Sequence, residues 1–232
     1  KDKFNRIVFE KPFGFDMKSS DKLTKELCKI VDESQIYRID HYLGKESVQN
    51  IATLKFSNSE FSKLMSNEFV ESIEIIVDEK LGVENRLGYY NDAGALKDMV
   101  QNHLLQILSL LLMDKPKKID SDNIHNEKIN VLKKINVLST RYHLMGQYKS
   151  YLKEAEKSGI KNSKTETFVK VTLECNNKKW KGVRISLRTG KKLTKRYGQV
   201  RINFKNKEDY IEINLQPDQD IILKRSGKII KN

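Results

Sequence analysis

The stretch RIDHYLGKE, residues Arg38–Glu46, lies where a strand pattern gives way to a helical pattern. It holds two cations, two carboxylates, an imidazole and a phenol. Backbone N–H groups at the start of a helix favour anions, and His41, Tyr42 and Lys45 add three side-chain donors. Because phosphate has more oxygen atoms to satisfy than a carboxylate, the stretch favours a phosphate-binding turn. A solvated turn with an incidental histidine is the alternative that composition alone supports.

The patterns that follow this stretch predict an α+β fold. Helical spacing dominates from residue 46 to about residue 136, interrupted by a β-branched strand at 70–77. The longest predicted helix covers 89–113, with Gly94 as a candidate break. Helices followed by strands indicate a large, mainly antiparallel β-sheet backed by helices. The strands predicted after Thr167 cover residues 168–175, 183–187, 200–204, 210–215 and 221–224. Segment 149–166 is rich in Lys, Ser and Glu, and we expect a mobile surface excursion there.

The N-terminal residues predict a strand at 4–9 and a helix that is capped at 19–21 and ends near Ser34. The glycines form neither a Gly-x-Gly-x-x-Gly turn nor a P-loop, so the turn that a dinucleotide-binding crevice needs is missing. We therefore expect a fragment that lacks an upstream nucleotide-binding domain. Since the sequence stops within a strand pattern, we expect a missing C-terminal piece as well.

The distribution of the charged residues, rather than their net balance, argues against a nucleic-acid-binding module. The 232 residues carry a net charge of +13, from 44 basic and 31 acidic side chains. The basic residues are dispersed and interleaved with acids, without the alternation of aromatic and basic residues that a stacking platform requires. Most of this charge is therefore interpreted as solvated surface, with local positive potential at a site. A nucleic-acid-binding module is the weakest of the alternatives considered.

The cysteines and the apolar stretches bear on the protein's location. Cys28 and Cys175 lie far apart with no second pair, so no disulfide framework or cysteine-based metal site is implied. This cysteine usage fits a reducing, cytoplasmic setting. The longest apolar stretch, 104–113, is too short to span a bilayer, and no membrane association is expected. His125 and His143 show no ligand-like spacing, which disfavours a metal-dependent enzyme.

Four blocks, in order, resemble the glucose-6-phosphate dehydrogenase family. They are EKPFG at Glu10–Gly14, RIDHYLGKE at Arg38–Glu46, DMVQNHLLQ at Asp98–Gln106, and a looser block at Trp180–Lys191. The order and spacing of the blocks are more specific than any one block. The similarity runs over essentially the whole chain and is weakest at 115–165.

This resemblance implies both the architecture and the activity. Residues 1–34 would be the last strand and turn of a truncated Rossmann-like dinucleotide-binding domain, with a cis peptide bond before Pro12. Residues 35–232 would be a C-terminally truncated α+β domain for substrate binding and oligomerisation, forming a homodimer or homotetramer through its sheet. The implied reaction oxidises glucose 6-phosphate at C1 to 6-phosphoglucono-lactone with hydride transfer to NADP. That reaction is the entry step of the pentose phosphate pathway, and the chain would be inactive alone.

His103 is the candidate general base. It lies in an apolar helix beside Gln101 and Asn102, with Asp98 one turn earlier, and such a polar cluster often forms the floor of a site. Oxidising a hemiacetal requires a base on the C1 hydroxyl, and histidine suits that task near neutral pH. The resemblance implies that Asp40 pairs with His103 and orients its imidazole. A satisfied core histidine is the alternative.

The resemblance implies roles for eight further positions. Those implied at the phosphate region or near it are His41, Tyr42, Lys45, Lys191 and Arg196. Glu79 and Asp98 are implied to accept hydrogen bonds from sugar hydroxyls, and Lys11 to lie between coenzyme and substrate. Each charged residue has a simpler interpretation as a solvated turn or strand-end charge. A catalytically silent sugar-phosphate sensor or scaffold with the same fold remains the alternative function.

Overall fold

The computed structural model describes residues 5–139 and 142–231, and the chain divides into two compact units, Lys1–Gly44 and Lys45–Asn232. Phe4, the first residue of the strand predicted at 4–9, lies outside the described residues. Among the residues described, no helix combines the length and the apolarity needed to cross a membrane.

The first unit is built on a pair of parallel strands. Strand β1 (Ile7–Glu10) pairs with β2 (Ile36–Ile39), and helix α1 (Met17–Leu27) lies between them in sequence. Asp16 caps α1 by accepting a hydrogen bond from the Ser19 backbone N–H at 2.7 Å. The helix therefore begins before the predicted caps at 19–21 and ends well before Ser34. Because β2 pairs with β1, the compact unit extends to Gly44, whereas the sequence suggested a domain boundary after residue 34.

The helices of the second unit follow the predicted pattern in most places. The helix predicted at 89–113 is broken at Gly94, where φ is +65° and the chain leaves helical geometry. Its middle part is a π-helix, Leu96–Leu104, called the π segment below. The α-helices are α2 (Glu46–Ser57), α3 (Ser59–Leu64), α4 (Leu87–Ala95), α5 (Leu105–Leu112), α6 (Ser121–Leu132) and α7 (Tyr151–Lys157).

The prediction that residues 149–166 form a mobile surface excursion is partly wrong, because one face of α7 is buried against the rest of the second unit. Tyr151 and Ala155 are both 0% exposed. The Tyr151 ring meets the Tyr90 ring edge-on, with centroids 6.5 Å apart. Because the segment is rich in Lys and Ser, the helical spacing of Tyr151 and Ala155 was not recognised in the sequence.

A nine-stranded sheet dominates the second unit and confirms the α+β prediction. Its order is β11-β10-β9-β8-β3-β7-β6-β4, and β5 pairs with β6 as well. Among the described strands every pairing in this sheet is antiparallel except that of β3 with β7. The strands are β3 (Val70–Asp78), β4 (Ile135–Val137), β5 (Leu144–Gly146), β6 (Phe168–Cys175), β7 (Arg184–Gly190), β8 (Tyr197–Phe204), β9 (Tyr210–Gln216), β10 (Ile221–Arg225) and β11 (Lys228–Lys231).

The parallel pairing of β3 with β7 determines where functional side chains gather. Asp78 at the end of β3 is the register partner of Gly190 at the end of β7. Tyr197, the first residue of the antiparallel β8, also pairs with Asp78. The residues that follow β3 and β7 and those that precede β8 therefore meet at one edge of the sheet. The predicted site residues Glu79, Lys191 and Arg196 belong to these connections.

Candidate active site

Backbone hydrogen bonds hold Glu79 and Lys191 at this edge. The Glu79 N–H donates to the Gly190 carbonyl at 2.9 Å, and the Leu193 N–H donates to the Glu79 carbonyl at 3.0 Å. The Lys191 N–H donates to the Thr167 carbonyl at 2.8 Å. Both charged side chains therefore project from a backbone that is fixed on each side.

Lys191 is a buried cation with a carboxylate partner. Its side chain is 4% exposed, and its Nζ contacts Oε2 of Glu79, whose side chain is 31% exposed. The same Nζ lies 5.6 Å from the centroid of the Tyr90 ring. A buried ammonium needs such partners, because its desolvation is otherwise very costly. The interpretation of Lys191 as a solvated hairpin residue is therefore wrong.

Lys45 and Arg196 form a second cationic region in the same unit. The Lys45 Nζ donates to the Leu215 carbonyl at 3.4 Å, and the Arg196 Nε donates to Oε1 of Gln216 at 3.3 Å. Partial burial lowers the pKa of Lys45, and the nearby positive charge of Arg196 lowers it further. Two cations that repel each other in a partly desolvated place favour an anion that lies near both.

The π segment carries the other two predicted residues of this unit. Asp98 and His103 are each 1% exposed. Backbone hydrogen bonds in a π-helix span five residues, so these two side chains are separated by about one turn. Burial raises the pKa of Tyr89, and the negative charge of Asp98 together with a hydrogen bond to it raises that pKa further. The structure thus places a buried carboxylate and a buried imidazole about one turn apart on the same helical segment.

The first unit carries the remaining predicted residues at the ends of its two strands. The Asp40 carboxylate accepts a hydrogen bond from the Tyr42 N–H at 2.8 Å, which shapes the turn after β2. The His41 Nδ1 lies 4.0 Å from Oε1 of Glu10, the last residue of β1. Lys11 follows Glu10, and its peptide bond to Pro12 is cis, which confirms the implied isomer.

The predicted dyad of Asp40 and His103 joins the two units and stays a prediction. Within the second unit, the structure brings Glu79 to Lys191 and Lys45 near Arg196, and it places Asp98 and His103 about one turn apart on the π segment. Within the first unit, it gathers Lys11, Asp40, His41 and Tyr42 at the carboxyl ends of β1 and β2.

Two residues that the sequence did not single out also border these groups. Tyr90 is 0% exposed, and its pKa is raised by burial and by the carboxylates of Asp98, Glu166 and Glu79. Glu166 accepts a hydrogen bond from the first backbone N–H of the π segment. Tyr90 lies four residues before Gly94, so its position near the helix break could be recognised from the sequence. No local sequence pattern linked Glu166 to the π segment.

The described residues include a candidate contact for a coenzyme but no cluster suited to a metal ion. No three His, Cys, Asp or Glu side chains among them are grouped closely enough to hold a metal ion. Lys11 lies just beyond the carboxyl end of a parallel strand, which is the edge where nucleotides bind in doubly wound sheets. The residue fits its predicted place beside a dinucleotide coenzyme.

Comparison with known proteins identifies the family. Residues 52–231 match the family model "Glucose-6-phosphate dehydrogenase, C-terminal domain", and residues 1–50 match "Glucose-6-phosphate dehydrogenase, NAD binding domain". The chain belongs to the glucose-6-phosphate dehydrogenase family. The boundary between the two matched models lies a few residues beyond Gly44, where the compact units divide.

Individual relatives agree with the family models. The chain is 46% identical to the glucose-6-phosphate 1-dehydrogenase of Borreliella burgdorferi, over 87% of this chain and 45% of that protein. It is 41% identical to that of Buchnera aphidicola from Acyrthosiphon pisum, over 97% of this chain and 51% of that protein. A solved glucose-6-phosphate dehydrogenase in complex with glucose 6-phosphate superposes with a TM-score of 0.86 at 32% identity, over 98% of this chain and 51% of that chain. The chain thus spans about half the length of the relatives it matches.

Proposed function

We propose that this chain forms the substrate-binding half of an NADP-dependent oxidoreductase that converts glucose 6-phosphate to 6-phosphoglucono-lactone. The observation that carries the proposal is the burial of an imidazole, His103, and a carboxylate, Asp98, about one turn apart on the π segment. Cationic groups for a phosphate and an ion pair for sugar hydroxyls lie in the same unit.

The proton chemistry follows from the properties of His103. Oxidation at C1 removes a hydride from carbon and a proton from the attached hydroxyl. The imidazole of His103 takes this proton, because histidine is the side chain best suited to general-base catalysis near neutral pH. Asp40 orients the imidazole and stabilises the imidazolium that forms. NADP, when bound, accepts the hydride.

The remaining residues bind and orient the substrate. Lys45 and Arg196, together with His41 and Tyr42, donate to the phosphate through charge-assisted hydrogen bonds. These contacts hold C1 at a fixed distance from His103. Because such positioning turns an encounter into an intramolecular reaction, it contributes a large part of the rate.

Two carboxylates and two lysines complete the proposed site. Glu79 and Asp98 accept hydrogen bonds from sugar hydroxyls, and Lys191 holds the Glu79 carboxylate in place through the partly buried ion pair. Lys11 lies between substrate and coenzyme. Sugar hydroxyls need hydrogen-bond acceptors, and phosphate groups need cations. The carboxylates of Glu79 and Asp98 and the ammonium groups of the lysines meet these two needs.

The setting of the reaction is also part of the proposal. We place the activity at the entry of the pentose phosphate pathway, in the cytoplasm, in a homodimer or homotetramer assembled through the nine-stranded sheet. Two unpaired cysteines, one exposed and one buried, support a reducing compartment. Size-exclusion chromatography with light scattering tests the assembly, and a monomer at micromolar concentration would contradict it.

The test is NADPH formation by the protein in its full natural length, supplied with glucose 6-phosphate and NADP. We expect His103→Asn to lower kcat by ~10²–10⁴-fold, the usual contribution of a general base, while the affinity for glucose 6-phosphate is largely kept. His125→Asn is the matched control, since His125 is exposed on α6. A His103→Asn variant within a few-fold of wild type would remove His103 from the mechanism. A silent wild type that still binds glucose 6-phosphate would establish the sensor or scaffold function instead.

A further inference from the structure

The π segment begins at a backbone conformation that glycine alone adopts readily. Gly94 has φ +65° and ψ 176°, a region that is essentially restricted to glycine. The helix is kinked at Gly94, near the end of α4 and two residues before the π segment begins. The direction of the π segment is therefore set by whatever fixes its first residues.

Glu166 makes two hydrogen bonds to the backbone at the start of the π segment. The Ala95 N–H donates to the Glu166 backbone carbonyl at 3.0 Å, and the Leu96 N–H donates to the Glu166 Oε1 at 2.8 Å. No side chain of the segment's own N-terminus caps it. By contrast, α1 and α6 are capped locally by Asp16 and Asp120.

The Glu166 carboxylate fits closely over Gly94. A Cβ built on Gly94 would lie 2.4 Å from Oε1, 2.6 Å from Oε2 and 2.7 Å from Cδ of Glu166. These distances are far below van der Waals contact, so only glycine leaves room for this carboxylate. The glycine is thus needed both for its positive φ and for the space that Glu166 occupies.

Glu166 is itself held by the sheet. The next residue, Thr167, donates its N–H to the Gly146 carbonyl at 2.8 Å and accepts from the Lys191 N–H at 2.8 Å. The Thr165 hydroxyl donates to the Asn91 carbonyl at 2.5 Å. Glu166 therefore connects the start of the π segment to a fixed backbone at the edge that carries Lys191.

We propose that Glu166 is a positioning residue for the π segment and, through it, for Asp98 and His103. Its carboxylate binds the positive end of the helix, where a negative charge is favourable, and holds the direction in which Asp98 and His103 project. The catalytic consequence rests on the proposed dehydrogenase function. The hydrogen bond from the Leu96 N–H to Glu166 and the close fit of its carboxylate over Gly94 do not depend on that function.

We expect replacement of Glu166 by alanine to lower kcat much more than it changes KM. In Glu166→Ala the π segment loses its anchor, and a displacement of His103 by about 1 Å costs up to ~10²-fold in rate. We expect kcat to fall ~10–100-fold, while the KM for glucose 6-phosphate changes by less than ~5-fold. The proposed phosphate contacts Lys45 and Arg196 do not lie on the π segment, and the ~5-fold allowance covers one weakened hydrogen bond from a sugar hydroxyl to Asp98. Glu166→Gln keeps an acceptor oxygen for the Leu96 N–H, and we expect it to stay within ~3-fold of wild type.

The experiment measures steady-state kinetics and amide hydrogen exchange on the full-length wild type, Glu166→Ala and Glu166→Gln. Lys164→Ala, an exposed position two residues away, is the matched control. We expect faster exchange of the Leu96 amide in Glu166→Ala and wild-type protection in Glu166→Gln. All assays are run well below the thermal midpoint of the least stable variant, so that global unfolding does not contribute.

Unchanged kcat in Glu166→Ala would overturn the proposal, and so would equal losses in Glu166→Ala and Glu166→Gln. A parallel fall in kcat and rise in KM would indicate a general structural role and would also overturn it. A wild type without dehydrogenase activity would refute the proposed function. In that case the Leu96 amide exchange still decides whether Glu166 anchors the π segment.

Discussion

Replacing Lys55 by methionine is expected to change how the stability of this protein depends on pH. Lys55 lies on α2, is 3% exposed, and points its ammonium group at the C-terminus of α5. Its Nζ donates to the carbonyls of Leu111 at 2.6 Å and Leu110 at 3.3 Å, and also contacts the Met113 carbonyl. A cation at this place satisfies carbonyls that have no partner inside the helix.

Burial lowers the pKa of Lys55 from 10.5 to about 7, with a further small lowering from the positive charge of Lys179. Between those two values the unfolded chain holds a proton that the folded chain has released. The free energy of unfolding therefore rises with pH through this window. At 1.36 kcal/mol per pKa unit, the contribution of Lys55 grows by about 3 kcal/mol between about pH 6 and about pH 9.

Urea unfolding of wild type and Lys55→Met at these two pH values measures the effect. Groups other than Lys55 titrate in both proteins, so their contributions cancel in the difference. We expect the free energy of unfolding of wild type, relative to Lys55→Met, to be about 3 kcal/mol higher at about pH 9 than at about pH 6. Lys63→Met, an exposed lysine on α3, should show no such change.

A constant difference between wild type and Lys55→Met would refute this reasoning. It would show that the three carbonyls keep the ammonium protonated throughout the range, against the cost of burial. A difference that falls with rising pH would contradict the sign of the linkage. The m-values must also stay equal for the comparison to report stability alone.

Three further substitutions test separate contacts. Trp180→Phe removes the indole N–H that donates to the Leu112 carbonyl at 2.9 Å, and urea unfolding should show a loss of about 1–3 kcal/mol, since that buried carbonyl loses a partner. Asn58→Ala removes the side-chain cap of α3 and should cost about 1 kcal/mol in the same assay. Arg196→Met should weaken glucose 6-phosphate binding by ~10–100-fold in calorimetry. It should also raise the pKa of Lys45, because a nearby positive charge is removed. Unchanged affinity would exclude Arg196 from the phosphate site.

Local patterns in the sequence predicted the long elements well. The break at Gly94 and the strand at 70–77 were both correct, because a glycine and a run of β-branched residues are local signals. Strands β4, β5 and β11 were missed. Each has three or four residues, too few to show alternation, and β4 and β5 depend on pairing with the distant strand β6.

The candidate site was predictable in its residues but not in its contacts. The motif blocks named Glu79 and Lys191, yet nothing in either block indicated that the two side chains form an ion pair or that Lys191 is buried. Glu166 could not be found from the sequence, because its partner, the Leu96 N–H, lies 70 residues away and its own neighbours are polar. Contacts of this kind are created by the topology of the sheet.

One parallel pairing within an otherwise antiparallel sheet accounts for this topology. In an antiparallel pair the carboxyl ends of the two strands lie on opposite sides of the sheet. The residues that follow the two strands are therefore separated by the length of a strand. Because β3 and β7 are parallel, Glu79 and Lys191 follow their strands at the same edge, with Asp78 opposite Gly190. A slip of one residue in this register would move Lys191 along the strand by about 3.3 Å and turn alternate side chains to the other face. The ion pair between Glu79 and Lys191 would then be lost, so we infer that the register of β3 and β7 is as necessary to the proposed site as the side chains themselves.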